Sequence, residues 1–283
     1  MKKQQVILVS GGVLLLVALY VFGKTVPPPT KDVKPPAATT TAPAFDISVA
    51  LAAAKNKLTI SQQAYINSLE SAVVRGDVKN QQIHVYHQLA TFWKDSVRSF
   101  EPYAFYTAEA SKLENSEKSL TFAAQLFLDN LRGMGEPSTK AWMAAQSKEL
   151  FDRALKLNPA NDSAKIGIGS AYIFGSPAED PQQLMQGIQK ILEVARRDST
   201  NMYAQLMLGI GGVVSGQFDK AIERLLKVVS YEPNNMEAIL TLAEAYERKG
   251  DKLNAVKWYE TSRKFIANPE VIKEIDQRIQ SLK

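Results

Sequence analysis

The chain has 283 residues, with 45% hydrophobic and 22% charged side chains, enough for one or two sizeable cores or an elongated repeat array. Its net charge of +5 includes Lys2 and Lys3 at the extreme N-terminus, and the remainder is spread too thinly for a nucleic-acid footprint. It contains no cysteine, which excludes disulfides, thiolate metal sites and cysteine nucleophiles.

In chain order, "MKKQQVILVSGGVLLLVALYVFGK" places two lysines before an uncharged, largely apolar run from Gln4 to Gly23. As a helix, about 20 residues cross the roughly 30 Å of a bilayer core. A cleavable export signal has a shorter apolar region and a small-residue cleavage site, whereas this run ends "YVFGKT". Residues 1–24 therefore read as a single uncleaved transmembrane anchor. By the positive-inside rule Lys2 and Lys3 stay in the cytoplasm. The rest of the chain is then expected outside the cytoplasm, at the inner membrane and periplasmic if the cell is a Gram-negative bacterium. Residues 25–45, including "TVPPPTKDVKPPAATTTAPA", are rich in proline, threonine and alanine. Such a segment buries too little apolar surface to fold, and it reads as a disordered spacer holding a folded domain, residues 46–283, off the membrane.

"ISQQAYINSLESAVVRGD" reads as a helix packed on the first helical unit. His84 and His87 in "HVYH" share one helix face at i, i+3 spacing, but a zinc site needs a third ligand and none is visible nearby. The same two residues are the only histidines, which leaves every serine without a triad base, and no Gly-x-Ser-x-Gly elbow is present. The aromatic cluster in "RSFEPYAFYTAEA" lacks the interleaved cations of a base-stacking surface and reads as an apolar seam. Glu244 and Glu247 read as a solvated helix face rather than an acid/base pair. "LGIGGVVSG", from Leu208, has the glycines of a phosphate cradle, but helix-like apolar spacing precedes it and no Lys-Ser or Lys-Thr pair follows. No catalytic residue, metal ligand or cofactor site is assigned, and the expectation is that the protein is not an enzyme.

What does recur is a period of 34. Leu208-Gly209 and Leu242-Ala243, Gly216 and Gly250, Ala221 and Ala255, Leu225 and Tyr259 are each separated by that interval, with Pro233 closing the first of the two units. Upstream, Ile168-Gly169 with Tyr172, Ala123-Ala124 with Phe127, and Leu89-Ala90 with Trp93 repeat the first columns. "GSPAEDPQQ" and "RGMGEPSTK" lengthen two inter-helix turns, where a solenoid tolerates insertions. The pattern resembles the tetratricopeptide repeat (TPR) family, with residues 202–235 and 236–269 as the best-matching repeats. Three departures stand out. Gly212 occupies a column where the family has an aromatic, Gly187 replaces the second-helix alanine of the third unit, and the first unit is expected to have an irregular second helix. Asn268-Pro269 and "EVIKEIDQRIQSLK" fit a terminal capping helix with Val271, Ile272, Ile275, Ile279 and Leu282 on one face.

The resemblance implies an all-α solenoid of helical hairpins whose first helices line a concave, partner-binding groove. Carried over by column, the lining includes Ile166, Ser170, Ile173 and Phe174, then Tyr203, Leu206, Ile210, Val213 and Val214, then Leu240, Glu244, Glu247 and Arg248. Ile166 and Ser170 stand where a carboxylate-gripping subgroup carries Lys and Asn, so a different mode of binding is implied. The expectation is a mostly apolar groove, with Ile210, Val213 and Val214 as an exposed stripe. The function expected is a membrane-anchored, non-enzymatic scaffold or adaptor for a peptide, helix or envelope protein. The alternatives are a chaperone-like holder of unfolded exported chains, and self-association into a homo-oligomer through the terminal helix.

Overall fold

The computed structural model describes residues 45–75, 78–133, 135–175 and 181–283. The expected anchor and almost all of the spacer lie outside the described residues. Within them no helix is long and apolar enough to cross a membrane.

The described chain is helical throughout. Two leading helices, α1 (Ile47–Lys55) and α2 (Ile60–Arg75), precede hairpins in which consecutive helices pack antiparallel. The first hairpin joins α3 (Lys79–Thr91) to α4 (Phe100–Glu114), and the second joins α5 (Glu117–Leu131) to α6 (Pro137–Leu157). The third pairs α7 (Asp162–Gly175) with α8 (Pro181–Arg197), and the fourth pairs α9 (Met202–Val214) with α10 (Phe218–Tyr231). The fifth pairs α11 (Met236–Lys249) with α12 (Lys252–Arg263), and α13 (Pro269–Leu282) follows.

Three of the first helices begin in the same way. Asn161, Asn201 and Asn235 each accept a hydrogen bond from the backbone N–H three residues on, at 2.8–2.9 Å, and so satisfy a donor that the helix start would leave unpaired. The exits of the last two first helices use Gly216 and Gly250 in the left-handed region, at φ 75° and 89°. Nothing lies within 4 Å of a Cβ built at either glycine, so it is the backbone conformation that requires them there.

Between the two helices of a hairpin the small columns permit close approach. A Cβ at Gly209 would lie 2.6 Å from Leu225 Cγ, and one at Gly187 would lie 2.6 Å from the Gly169 carbonyl oxygen. In the second hairpin Ser147, fully buried, donates its hydroxyl to the Ala124 carbonyl at 3.0 Å. The aromatic column fills the space beside these contacts. Trp93 and Phe127 are fully buried, and Phe127 stands edge-on to Phe100 of α4 and to Trp142 of α6, at ring separations of 6.4 and 5.2 Å.

The first unit differs from the expectation in where its irregularity lies. Its second helix, α4, is regular, whereas its first helix runs on into a π-turn over Phe92–Val97 and ends at Arg98 in the left-handed conformation, φ 58°. The widened turn brings Phe92 edge-on to buried Trp93, at 5.5 Å, and α2 covers the same core with Ile66. At the other end α13 buries Ile275 and Ile279 as a cap should. It is tied down by Glu247, which accepts from Tyr259 Oη and from Arg278 Nε, both at 2.9 Å.

Candidate functional site on the concave face

The residues expected to line the groove divide into two groups. Ile166, Ile173, Leu206, Ile210 and Val213 are buried, at 1–9% exposure, and Ser170 is fully buried. Of the expected exposed stripe, Ile210 and Val213 are corrected, since with Ile173 and Leu206 they belong to a core shared by α7 to α11, whereas Val214 is exposed. The physical reason is that successive first helices pack on one another rather than only on their own second helices. Gly211 of α9 shows how closely, since a Cβ there would lie 3.0 Å from Ile173 Cδ1 of α7. Glu247 is likewise committed, holding the cap helix.

Phe174, Tyr203, Val214, Glu244 and Arg248 do reach the surface in part. Arg248 already has work to do. Its Nη1 donates to the Val213 carbonyl at 3.1 Å, its guanidinium lies 5.3 Å from the Phe218 ring centre, and Glu244 is 3.4 Å away. A cation at the C-terminal turn of α9 satisfies a carbonyl and complements the helix dipole. Val214 and the Glu244–Arg248 pair form the exposed edge of this end of the face.

The better-formed site is polar and draws on four units. Tyr203 of α9, 36% exposed, lies within the influence of the Arg132 and Asp129 charges and of the polar side chains of Gln125 on α5 and Ser170 on α7. Burial of the ring pushes the phenol pKa up, and the Arg132 charge with polar contacts from Gln125 and Ser170 opposes this. The buried Ser170 hydroxyl has no hydrogen-bonding partner among the described residues. Gln125 donates to Asp129 Oδ1 at 2.6 Å. The Arg132 guanidinium lies 5.2 Å from the Phe174 ring centre and pairs with Glu237 at the start of α11. One arginine thus spans from the second unit to the fifth across Phe174. Fixed donors, a carboxylate and two ring faces suit recognition of a polar or charged peptide segment better than capture of an apolar one.

Gln125, Asp129, Arg132 and Glu237 were not among the residues expected from sequence. Three of them occupy the same columns that gave Ser170, Phe174 and Tyr203, and extending the column count to the second unit and to the start of the fifth would have found them. Arg132 falls in an inserted turn outside any column. Away from this face, His87 Nε2 is 2.6 Å from Glu114 Oε1, and both histidines border a shallow cleft with Tyr65, Phe92 and Asp95 beside the π-turn. Among the described residues no three side chains of metal-binding type converge.

No family model matches the chain. A solved structure described as a thermophilic TPR protein, TTC0263 of Thermus thermophilus, superimposes with a TM-score of 0.53 at 17% identity, covering 71% of this chain and 98% of that one. The fold is a tetratricopeptide-repeat solenoid. MamA from Desulfovibrio magneticus RS-1 aligns at TM-score 0.47 and 20% identity over 67% of this chain and 96% of that one. YrrB, described as a TPR protein with an unusual peptide-binding site, aligns at 0.45 and 13% over 74% of this chain and 97% of its own. Among curated proteins, cellulose synthase 1 operon protein C of Komagataeibacter xylinus is 26% identical over 160 residues, 53% of this chain. The match spans only 12% of that relative. The TPR solenoid accounts for the helix pairs, the 34-residue columns and the capping helix together.

Proposed function

We propose that this chain is a non-enzymatic scaffold that holds a protein or peptide partner on its concave face, and that its N-terminal segment anchors it in the membrane with the solenoid outside the cytoplasm. The observation that carries the reading is the Tyr203 cluster, where Arg132 of the second unit lies over the Phe174 ring of the third and pairs with Glu237 of the fifth, beside the partly exposed Tyr203 of the fourth. The anchor rests on the uncharged run from Gln4 to Gly23 and the lysines before it.

The chaperone alternative calls for a broad apolar groove, and the side chains that were to form it, Ile173, Leu206, Ile210 and Val213, are core residues. The informative position for capture is therefore Tyr203 rather than Val213. A photo-reactive group at Tyr203 of the full chain in native membranes should trap one dominant protein. A smear of unrelated exported chains would favour the chaperone reading, and no adduct at Tyr203 would overturn the concave-face reading. Added protease should reach the solenoid only from the outer side of the membrane, and digestion from the cytoplasmic side would reject the proposed orientation.

A further inference from the structure

The aromatic column has one gap, and the gap is a cavity. In the second unit Phe127 is wedged between the second helix of the unit before it, through Phe100, and its own second helix, through Trp142. In the third unit Tyr172 fills the equivalent place, with Lys148 of α6 4.1 Å from its ring centre and Gly187 of α8 against its Cβ. Tyr246 packs on the core at this position in the fifth unit. The fourth unit has Gly212, and a Cβ there would lie 3.0 Å from that of Ala221. Between α8 and α10, where the missing ring would lie, the structure has a cavity of about 420 Å3 that Gly212 lines. Its size falls within the roughly 300–1,000 Å3 of small ligand pockets.

The walls and mouth of the cavity differ. Ile188 and Leu208, both under 9% exposed, and the half-exposed Met185 supply apolar surface. Arg196, Lys220 and Arg224 stand around it against the single carboxylate of Glu223. Arg224 is held by Gln205 at 2.7 Å and Lys220 by Gln217 at 2.9 Å, while Arg196 has no ion-pair partner among the described residues. The chain's own spacer, Thr25 to Ala44, carries no aromatic residue and more lysine than acid, so it matches neither the apolar floor nor the basic rim.

We propose that the cavity between α8 and α10 is a second docking site, which takes an aromatic side chain of a partner protein from a segment flanked by acidic residues. The partner's ring occupies the place that Phe127 and Tyr172 fill from within the chain, and its carboxylates face Arg196 and Lys220. A buried aromatic anchor inside a charged rim is the usual arrangement of an energetic centre at an interface. The site lies on the second-helix side and goes beyond the concave-face reading, on which it does not depend.

The test uses the full chain in lipid nanodiscs and a dye-labelled peptide in which one tryptophan stands between glutamates, read by fluorescence anisotropy. Saturable binding is expected, weakened at least about tenfold when the tryptophan is replaced by alanine. Met185→Trp, which fills the mouth from α8, should weaken binding by at least about as much with the melting temperature retained. Lys220→Glu, at an exposed rim position, should weaken the acidic peptide and favour its lysine-flanked counterpart. Equal binding of the alanine peptide, or binding unchanged in both variants, would overturn the proposal. So would a dimer that Met185→Trp dissociates and the peptide does not, since the occupant would then be a second copy. Binding lost on Tyr203→Ala but retained in Met185→Trp and Lys220→Glu would assign the peptide to the concave face and reject the second site.

Discussion

At the seam between first and second helix, the third unit sets Tyr172 against Gly187, whereas the fourth sets Gly212 against Ala221. The large partner has been lost rather than exchanged, since both residues at the fourth seam are small. A large residue on the first helix reaches across to the preceding unit and closes the outer crevice, as the Lys148 contact with Tyr172 shows. The methyl of Ala221 cannot do this, so the fourth unit is tight at the helix contact and open on its outer side. A repeat array can thus keep its period and its stability while one unit gives up a side chain, because each unit contacts mainly its neighbours.

The comparison breaks most visibly where a ring is fully enclosed between second helices. Phe127→Ala removes a fully buried ring from between α4 and α6, and it should cost about 3–5 kcal/mol in chemical denaturation of the full chain. A cost under about 1 kcal/mol would mean that the crevices between second helices are not closed by the aromatic column. The small column gives the next effect. Gly187→Ala drives a methyl to within 2.6 Å of a backbone carbonyl that cannot swing aside, and should cost about 2–3 kcal/mol. Gly209→Ala meets only the Leu225 side chain, at 2.6 Å, and a rotamer change there should hold the cost near 1 kcal/mol. If the two glycines prove equal in thermal and denaturant melts, the distinction between a backbone lock and a side-chain lock is lost.

The hairpins were legible because each depends on local signals: Leu208-Gly209, Gly216, Ala221 and their copies 34 residues on encode helix, turn and helix without reference to anything distant. The exposure of the groove was not legible. Whether Ile210 faces water or α7 depends on how steeply successive units wind, which follows from contacts such as Gly211 on Ile173 and not from either residue's own column. The Arg132–Glu237 pair was hidden for a related reason, since it joins an inserted turn to a helix start two units beyond the next hairpin. The π-turn had a weaker signal still. "FWKDSVRS" carries no glycine or proline, and Arg98 adopts a left-handed conformation that its type does not advertise. Gly212 was visible as a departure from the pattern, but its meaning required knowing what Phe127 and Tyr172 touch.

The fourth and fifth units differ in one more column, and this supplies the smallest effect. Leu225 is fully buried, while Tyr259, 34 residues on, is partly exposed and directs its hydroxyl to Glu247 at 2.9 Å. Burial of the ring first, then the hydrogen bond to Glu247 and its charge, push the Tyr259 pKa from 10.0 up to about 12, against the opposing charge of Arg278. The folded protein therefore holds this proton more tightly than the unfolded chain. The stabilisation is fully present below pH 10 and is lost as the pH rises toward about 12, because the unfolded tyrosine ionises first. Tyr259→Phe should flatten the decline of the melting temperature across that window while the same substitution at exposed Tyr231 leaves it unchanged. Because Arg278 of α13 shares Glu247, the lost stability should be concentrated in the cap, with amide exchange in α13 accelerating before exchange in α9. Equal acceleration in both helices would mean that the cap is not held through Tyr259 and Glu247, and that the fifth unit ends the array by apolar contact alone.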